Sequence, residues 1–192
     1  MSIITYYARL NQSQLDELRA DSRGLGLVYE RCPQGAEVID LDKASGVIAW
    51  LLSPCKRAEQ AHFAADMDEV INEIPTNHAA LPVVPSLDDF AISIEGRGPS
   101  KEERLEHGLG PACHFDCAEV ERFAQLLSSV DQNVLRRELD FQLMDNLFLP
   151  VEYWEEQGEQ NFSEYILPLF KKLKQFYMNA ANSSQHVLVW YA

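Results

Sequence analysis

His186-Val187-Leu188-Val189-Trp190-Tyr191, close to the C-terminal end of a 192-residue chain, is the run on which the fold turns. It is rich in β-branched and aromatic residues, follows the turn formers Asn182, Ser183 and Ser184, and reads as a strand too apolar to be left in water. A second run of this kind, Ile3 to Leu10 (IITYYARL), stands at the other end. Apolar strands at both ends of a short chain have to pair somewhere. The expectation is an α+β fold in one domain spanning 1–192. Both terminal strands share a small sheet, and about five helices pack on a face of it.

Between these runs the periodicity is mostly helical. Asn11 with Gln14, and Ser13 with Asp16, are candidate capping pairs for a first helix whose Leu15 and Leu18 face inward. Val38 to Leu41 reads as a short strand, and Asp40 or Asp42 is placed to cap the helix that Pro54 stops. Val47, Ile48, Leu51 and Leu52 form one stripe of that helix. At about 100° per residue, Trp50 falls about 130° from the stripe's centre. The helix is then buried on two sides, or Trp50 sits at a surface.

Ala58 to Ile74 predicts another helix, ended by Pro75. Phe90, Ile92 and Ile94 alternate with Ala91, Ser93 and Glu95, the pattern of a half-buried strand. Gly96 to Pro111 reads as a mobile loop. Asp116 with Glu119 caps a helix whose inner face is Val120, Phe123, Ala124 and Leu127. A further helix follows Asp131, with Leu135, Leu139 and Leu143 four apart. Leu149 to Trp154 bends around Pro150, and Gly158 to Asn161 reads as a linker. The last helix starts near Asn161, with Glu164 placed for a capping box. Tyr165, Leu169, Leu173, Phe176, Tyr177 and Ala180 are its buried face. Pro168 either kinks that helix or opens its main segment.

Composition bounds the function classes. Hydrophobic residues make up 46% and charged residues 24%, which is ordinary globular usage. A chain of this size buries roughly 70% of its unfolded surface, enough for a core without metals or disulfides. Sixteen Lys and Arg against thirty Asp and Glu give a formal net charge of -14. A phosphate backbone repels such a surface, so nucleic acid is excluded as a partner, whereas a basic protein is attracted. No run is long and apolar enough for a membrane span, and the first residues lack the pattern of a signal peptide. The expected compartment is the cytoplasm, where Cys32, Cys55, Cys113 and Cys117 stay reduced.

The order of segments carries a resemblance. ITYYARL with a capped helix comes first, then VIDLDKA running into a helix that ends in LL. GLGPACHF with AEVERFAQLL, FLPVEYW, an acidic linker, a helix ending in FYMNAAN and the closing HVLVW complete the order. This resembles the YfbM-like family of small bacterial proteins of uncharacterised function. The resemblance implies a compact α+β domain and supplies no activity, cofactor or catalytic residue. Family members carry Trp directly after the pair that corresponds to Lys43 and Ala44, and His four residues beyond it. Here those places hold Ser45 and Ala49.

Several residues could carry chemistry. Cys113, His114 and Cys117 have zinc-ligand spacing, but no second pair supplies a fourth ligand. The expectation is therefore no metal and no cofactor. Cys117 at a helix start could be a nucleophile with His114 or His107 as base, against the plainer reading of an inert thiol. Gly96, Arg97, Gly98 and Lys101 lack the full phosphate-loop spacing. Asp40, Asp42, Asp140, Asp145, Glu152, Glu155 and Glu156 include possible acid–base carboxylates. Tyr153 and Trp154, followed by acidic residues, suit a cationic partner, although Trp154 beside a proline bend is more often a core residue. The binding candidates are Asp40, Asp42, Trp50, His114, Tyr153 and Trp154. With no nucleophile–base, metal or nucleotide motif, the leading expectation is a non-enzymatic binding protein, possible forms being immunity- or inhibitor-like. It acts as a monomer or a homodimer. The alternative is a small-molecule enzyme such as a hydrolase, assembled only in the fold.

Overall fold

The two end runs form strands, and they pair with each other. In the computed structural model, which describes residues 4–21, 32–60, 88–96, 112–147, 149–151 and 153–192, β1 (Thr5–Leu10) lies antiparallel to β4 (His186–Tyr191). Their register runs from Thr5 opposite Tyr191 to Leu10 opposite His186. β2 (Glu37–Asp40) pairs with the free side of β1, and β3 (Cys113–Phe115) with the free side of β4. The order is β2-β1-β4-β3. The terminal strands therefore occupy the centre of the sheet. A central strand covered on both faces needs apolar residues at nearly every position, which is why HVLVWY does not alternate.

The two faces carry separate cores. Tyr7, Phe115, Val187 and Val189 point into the larger one, built with the helices that follow β2. Ala8, Leu10, Leu188 and Trp190 point the other way, against Leu15 and Leu18 of α1 (Gln12–Ala20) and against Ala112. Tyr6 stacks on Trp190 with ring centroids 5.5 Å apart. Helices thus cover both faces rather than one.

Eight helices have defined bounds among the described residues, more than the five or so expected. α1 is closed by the reciprocal Asn11–Gln14 capping box. α2 (Ala44–Leu52) is buried from end to end, Trp50 included, so the two-sided reading holds. Neither Asp40 nor Asp42 caps it: Lys43 stands at the N-cap without a side-chain bond. After Ser53 a helical stretch covers 54–60, with Pro54 at its start, where the missing N–H costs nothing. The remainder of the helix expected over 58–74, and the loop expected near 96–111 beyond Gly96, lie outside the described residues.

The expected strand at Phe90–Ile94 is a helix, α3 (Asp89–Glu95). The Asp88 side chain accepts from the Ala91 N–H at its start. Gly96, at φ +66°, closes its end in the left-handed conformation glycine adopts freely. A helix leaves its last carbonyls without partners. Here three tyrosines from three other elements supply them: Tyr177 donates to Ser93 O at 2.6 Å, Tyr7 to Ile94 O and Tyr191 to Glu95 O. Burial pushes the Tyr7 and Tyr177 phenols well above their ordinary pKa, so both remain donors.

α4 (Cys117–Ser128) carries the predicted Asp116–Glu119 capping box, and its predicted inner face is buried throughout. The single helix expected after Asp131 is two: α5 (Gln132–Arg137), capped by Asp131, and α6 (Phe141–Asn146), capped by Asp140. The expected linker at 158–161 lies within α7 (Trp154–Asn161). That helix runs through a π-helical turn, Phe162–Ile166, into α8 (Leu167–Asn182). The capping box at Asn161 and Glu164 is therefore absent, and Pro168 opens the main segment. Leu173, Phe176, Tyr177 and Ala180 are buried as expected; Phe170 joins them, and Tyr165 and Leu169 are only half-buried. No helix of the described residues is long and apolar enough to cross a membrane.

Candidate functional site

Side chains alternate across a strand, and β3 separates its neighbours accordingly. Cys113, opposite Val189, points into the larger core beside Gly96, where an added Cβ would come within 3.3 Å of the cysteine's own. His114, opposite Leu188, points to the α1 face. His186 heads β4 on that same face, so the two imidazoles meet diagonally, with Nε2 of His114 3.1 Å from Nδ1 of His186. Cys117, the first residue of α4, puts its Sγ 3.8 Å from His186 Nε2 and donates to the Ser184 carbonyl at 3.2 Å. From the α1 side, Gln12, Asp16 and Arg19 arrive at helical spacing on one stripe.

The donors form an ordered chain. Arg19 can only donate, and its guanidinium lies 3.5 Å from His114 Nδ1, which makes that nitrogen the acceptor. His114 then donates from Nε2 to His186 Nδ1. His186 donates from Nε2 to Gln12 Oε1 at 3.1 Å. The Gln12 amide donates to Asp16 at 2.7 Å. The chain runs from a cation to an anion through two neutral rings. Burial first, then Arg19 and His186, hold His114 down at about 4, and burial with Arg19 lowers His186 as well. A proton added to either ring would set donor against donor. The arrangement fixes α1 to the sheet. The Nε2 that faces Cys117 already carries a proton.

The other sequence candidates fall elsewhere. Among the described residues no group of three His, Cys, Asp or Glu is placed to hold a metal. Asp42 adopts φ +46° and bonds the Tyr165 hydroxyl, which accepts from Lys43 N–H at 3.2 Å. Burial and then Asp42 raise that phenol to about 12. Lys172 donates to the Asp40 carbonyl at 3.0 Å with its ammonium 3.7 Å from the Asp40 carboxylate. Asp40 and Asp42 thus tie β2 to the end of the helical layer.

Trp154 is buried and stacked on Phe141, with its backbone N–H held by Asp145. Tyr153 beside it is 58% exposed, in the left-handed conformation at φ +65°. Val151 also has positive φ. The bend thus buries one ring and presents the next, directly ahead of the exposed Glu155 and Glu156. Glu152 lies outside the described residues, as do His107, Arg97, Gly98 and Lys101.

Trp50 lines a cavity of about 310 Å³ between α2, the helical stretch 54–60, the end of α3 and the bend at Leu149 and Pro150. Ser45 and Ala49 are both buried, with the Ser45 hydroxyl 2.7 Å from that of Thr5. A second groove of about 400 Å³ lies beside Phe170, Lys174 and Met178. Sequence reading missed Gln12, Arg19 and His186. Only the pairing of β4 with both β1 and β3 brings them to His114, and no local spacing records that.

Residues 1–190 match the model of a family described as a domain of unknown function, DUF1877. Among solved structures the chain is similar to YfbM from Escherichia coli, itself titled a protein of unknown function. The two are 17% identical over 98% of this chain and 99% of that one, with a TM-score of 0.64. No curated protein matches.

Proposed function

The chain belongs to the DUF1877 family, and from that premise, which brings a fold and no reaction, we propose that it is a non-enzymatic binding protein. Its acidic surface holds a basic partner around Tyr153. The observation that carries this reading is the backbone at Val151 and Tyr153. Two non-glycine residues accept positive φ there, a conformation costing about 1–3 kcal/mol each. Trp154 is drawn inside, while Tyr153 stands in solvent at the head of an acidic helical turn. A rigid exposed tyrosine next to carboxylates suits an Arg- or Lys-rich surface. The net charge of -14 steers such a partner from a distance.

The test is reconstitution with a purified partner first captured from the native cells at low salt. A stoichiometric complex that weakens steeply with salt is expected. Tyr153→Ala combined with Glu155→Lys and Glu156→Lys should weaken it about 10-fold or more. A complex indifferent to both salt and these substitutions would remove the reading.

One observation favours a second reading, an enzyme with a thiol nucleophile: Cys117 Sγ stands 3.8 Å from an imidazole. The donor chain argues against it, because His186 Nε2 spends its proton on Gln12 and cannot also take one from the thiol. Iodoacetamide should therefore alkylate Cys117 no faster than free cysteine at pH 7. Fast alkylation that is lost in His186→Ala would favour the enzyme.

A further inference from the structure

The groove beside Phe170 has no part in the Tyr153 surface, and its charge is the reverse of the chain's. It is lined by Val130, Leu167 and Phe170, which are otherwise buried, and by Met178, which is 38% exposed. Lys171 and Lys174, from the same stripe of α8, add its positive charge. Two carbonyls hold the half-buried Lys174 ammonium in place, Val130 O at 2.8 Å and Ser128 O at 3.2 Å, and it lies 5.8 Å from the centre of the Phe170 ring. An ammonium has three N–H donors, so one is left over. Neither lysine has a carboxylate partner among the described residues, in a chain with thirty Asp and Glu. Asp131 also lines the groove, but its carboxylate accepts from the Asn133 and Val134 N–H groups at 2.7 and 3.0 Å and is attracted to Arg137. Two cations thus stand at an apolar groove without an anion of their own. An amine is repelled there, and a neutral apolar molecule gains nothing from the ammoniums. An inorganic anion leaves the apolar lining in water, and a doubly charged phosphate also meets Asp131. A single negative head on an aliphatic tail satisfies both parts, since a charge-assisted bond fixes the head and the flexible Met178 chain adapts to the tail. The volume of about 400 Å³, at the small end of ligand sites, admits one short chain and not a two-tailed lipid.

We propose that this groove binds a free aliphatic carboxylate with a single chain. The carboxylate lies between Lys171 and the remaining donor of Lys174, and the tail covers Phe170 and runs along α8 towards Met178.

The probe is octanoate, titrated against the full chain, with octylammonium, octanol and acetate as the cationic, neutral and tail-less comparators. Binding is read from the Met178 methyl resonance, assigned by its absence in Met178→Leu, with the methyl of the buried Met144 as an internal reference. The expected result is saturable movement of the Met178 resonance at about millimolar octanoate, with Met144 unmoved and each comparator at least about five-fold weaker. Lys171 is exposed and has no partner among the described residues, so Lys171→Glu should keep the fold, checked by circular dichroism, and weaken octanoate about five-fold. A Met178 resonance that stays still or moves only together with that of Met144, comparators that bind equally well, or a folded Lys171→Glu protein with unchanged affinity would each overturn the proposal. The Tyr153 triple substitution should leave this binding intact, which separates the two sites.

Discussion

A buried carbonyl that loses its donor has no water to turn to, and the three tyrosine hydroxyls at the end of α3 stand in that position. Tyr177→Phe keeps the ring, and its edge contacts with Tyr7, Phe123 and Phe176, but leaves the Ser93 carbonyl unpaired. A loss of about 1–3 kcal/mol is expected in urea denaturation. His114 gives a second prediction at this scale. In the folded chain it stays neutral down to about pH 4, whereas unfolded it takes a proton near its ordinary 6.5. Its contribution to stability is therefore complete above pH 6.5 and declines as pH falls towards 4, where the folded form protonates too. Thermal melts across this window should slope downward with acid, and His114→Gln should flatten the slope. The helix pattern put Tyr177 on a buried face and the strand pattern put Tyr7 in a terminal strand, whereas His114 stood out only by its spacing to Cys113 and Cys117. They could not say where the polar tips go, because a hydroxyl's partner is set by a distant element.

At the scale of elements, the sequence spoke clearly where a cap spoke with it. Asn11–Gln14, Asp116–Glu119 and Asp131 mark helix starts that the structure keeps. Asp116→Ala should cost about 1 kcal/mol by orphaning the first turn of α4, read by chemical denaturation. Residues 89–95 misled because seven positions fit either period, and the deciding signals, Asp88 and Gly96, lie just outside them. Ala91, Ser93, Ile94 and Glu95 prove to be buried, so the polar side of the expected strand faces inward with Ile94. Gly158 misled for another reason. It read as a breaker, yet it sits within α7 because the Phe141 ring occupies the place of a side chain, only 2.4 Å from where a Cβ would be. Propensity alone would make Gly158→Ala stabilising by about 1 kcal/mol. The ring is stacked on the buried Trp154 and cannot retreat freely. A net destabilisation of about 1–3 kcal/mol is expected instead, as a lowered melting temperature. The π-helical turn at 162–166 had no legible signal: Phe162, Ser163, Tyr165 and Ile166 are middling helix formers, and none of them marks the wider register.

For the whole molecule, the pairing of the two end runs was legible from their hydrophobicity alone, and so was the α+β class. The central position of those strands, and hence the covering of both faces, was not. β1 and β4 each hold a neighbour on either side, and among the described residues β3 pairs with β4 alone. Deleting residues 186–192 should therefore abolish cooperative unfolding rather than lower its midpoint, as followed by circular dichroism. The same layout constrains biosynthesis. While the ribosome still encloses His186–Tyr191, the emerged segments have helices and the β1–β2 hairpin partners, but the middle of the sheet is missing and both oily faces stay open. A stalled nascent polypeptide should accordingly remain protease-sensitive until residues 186–191 clear the exit tunnel and fill the gap between β1 and β3.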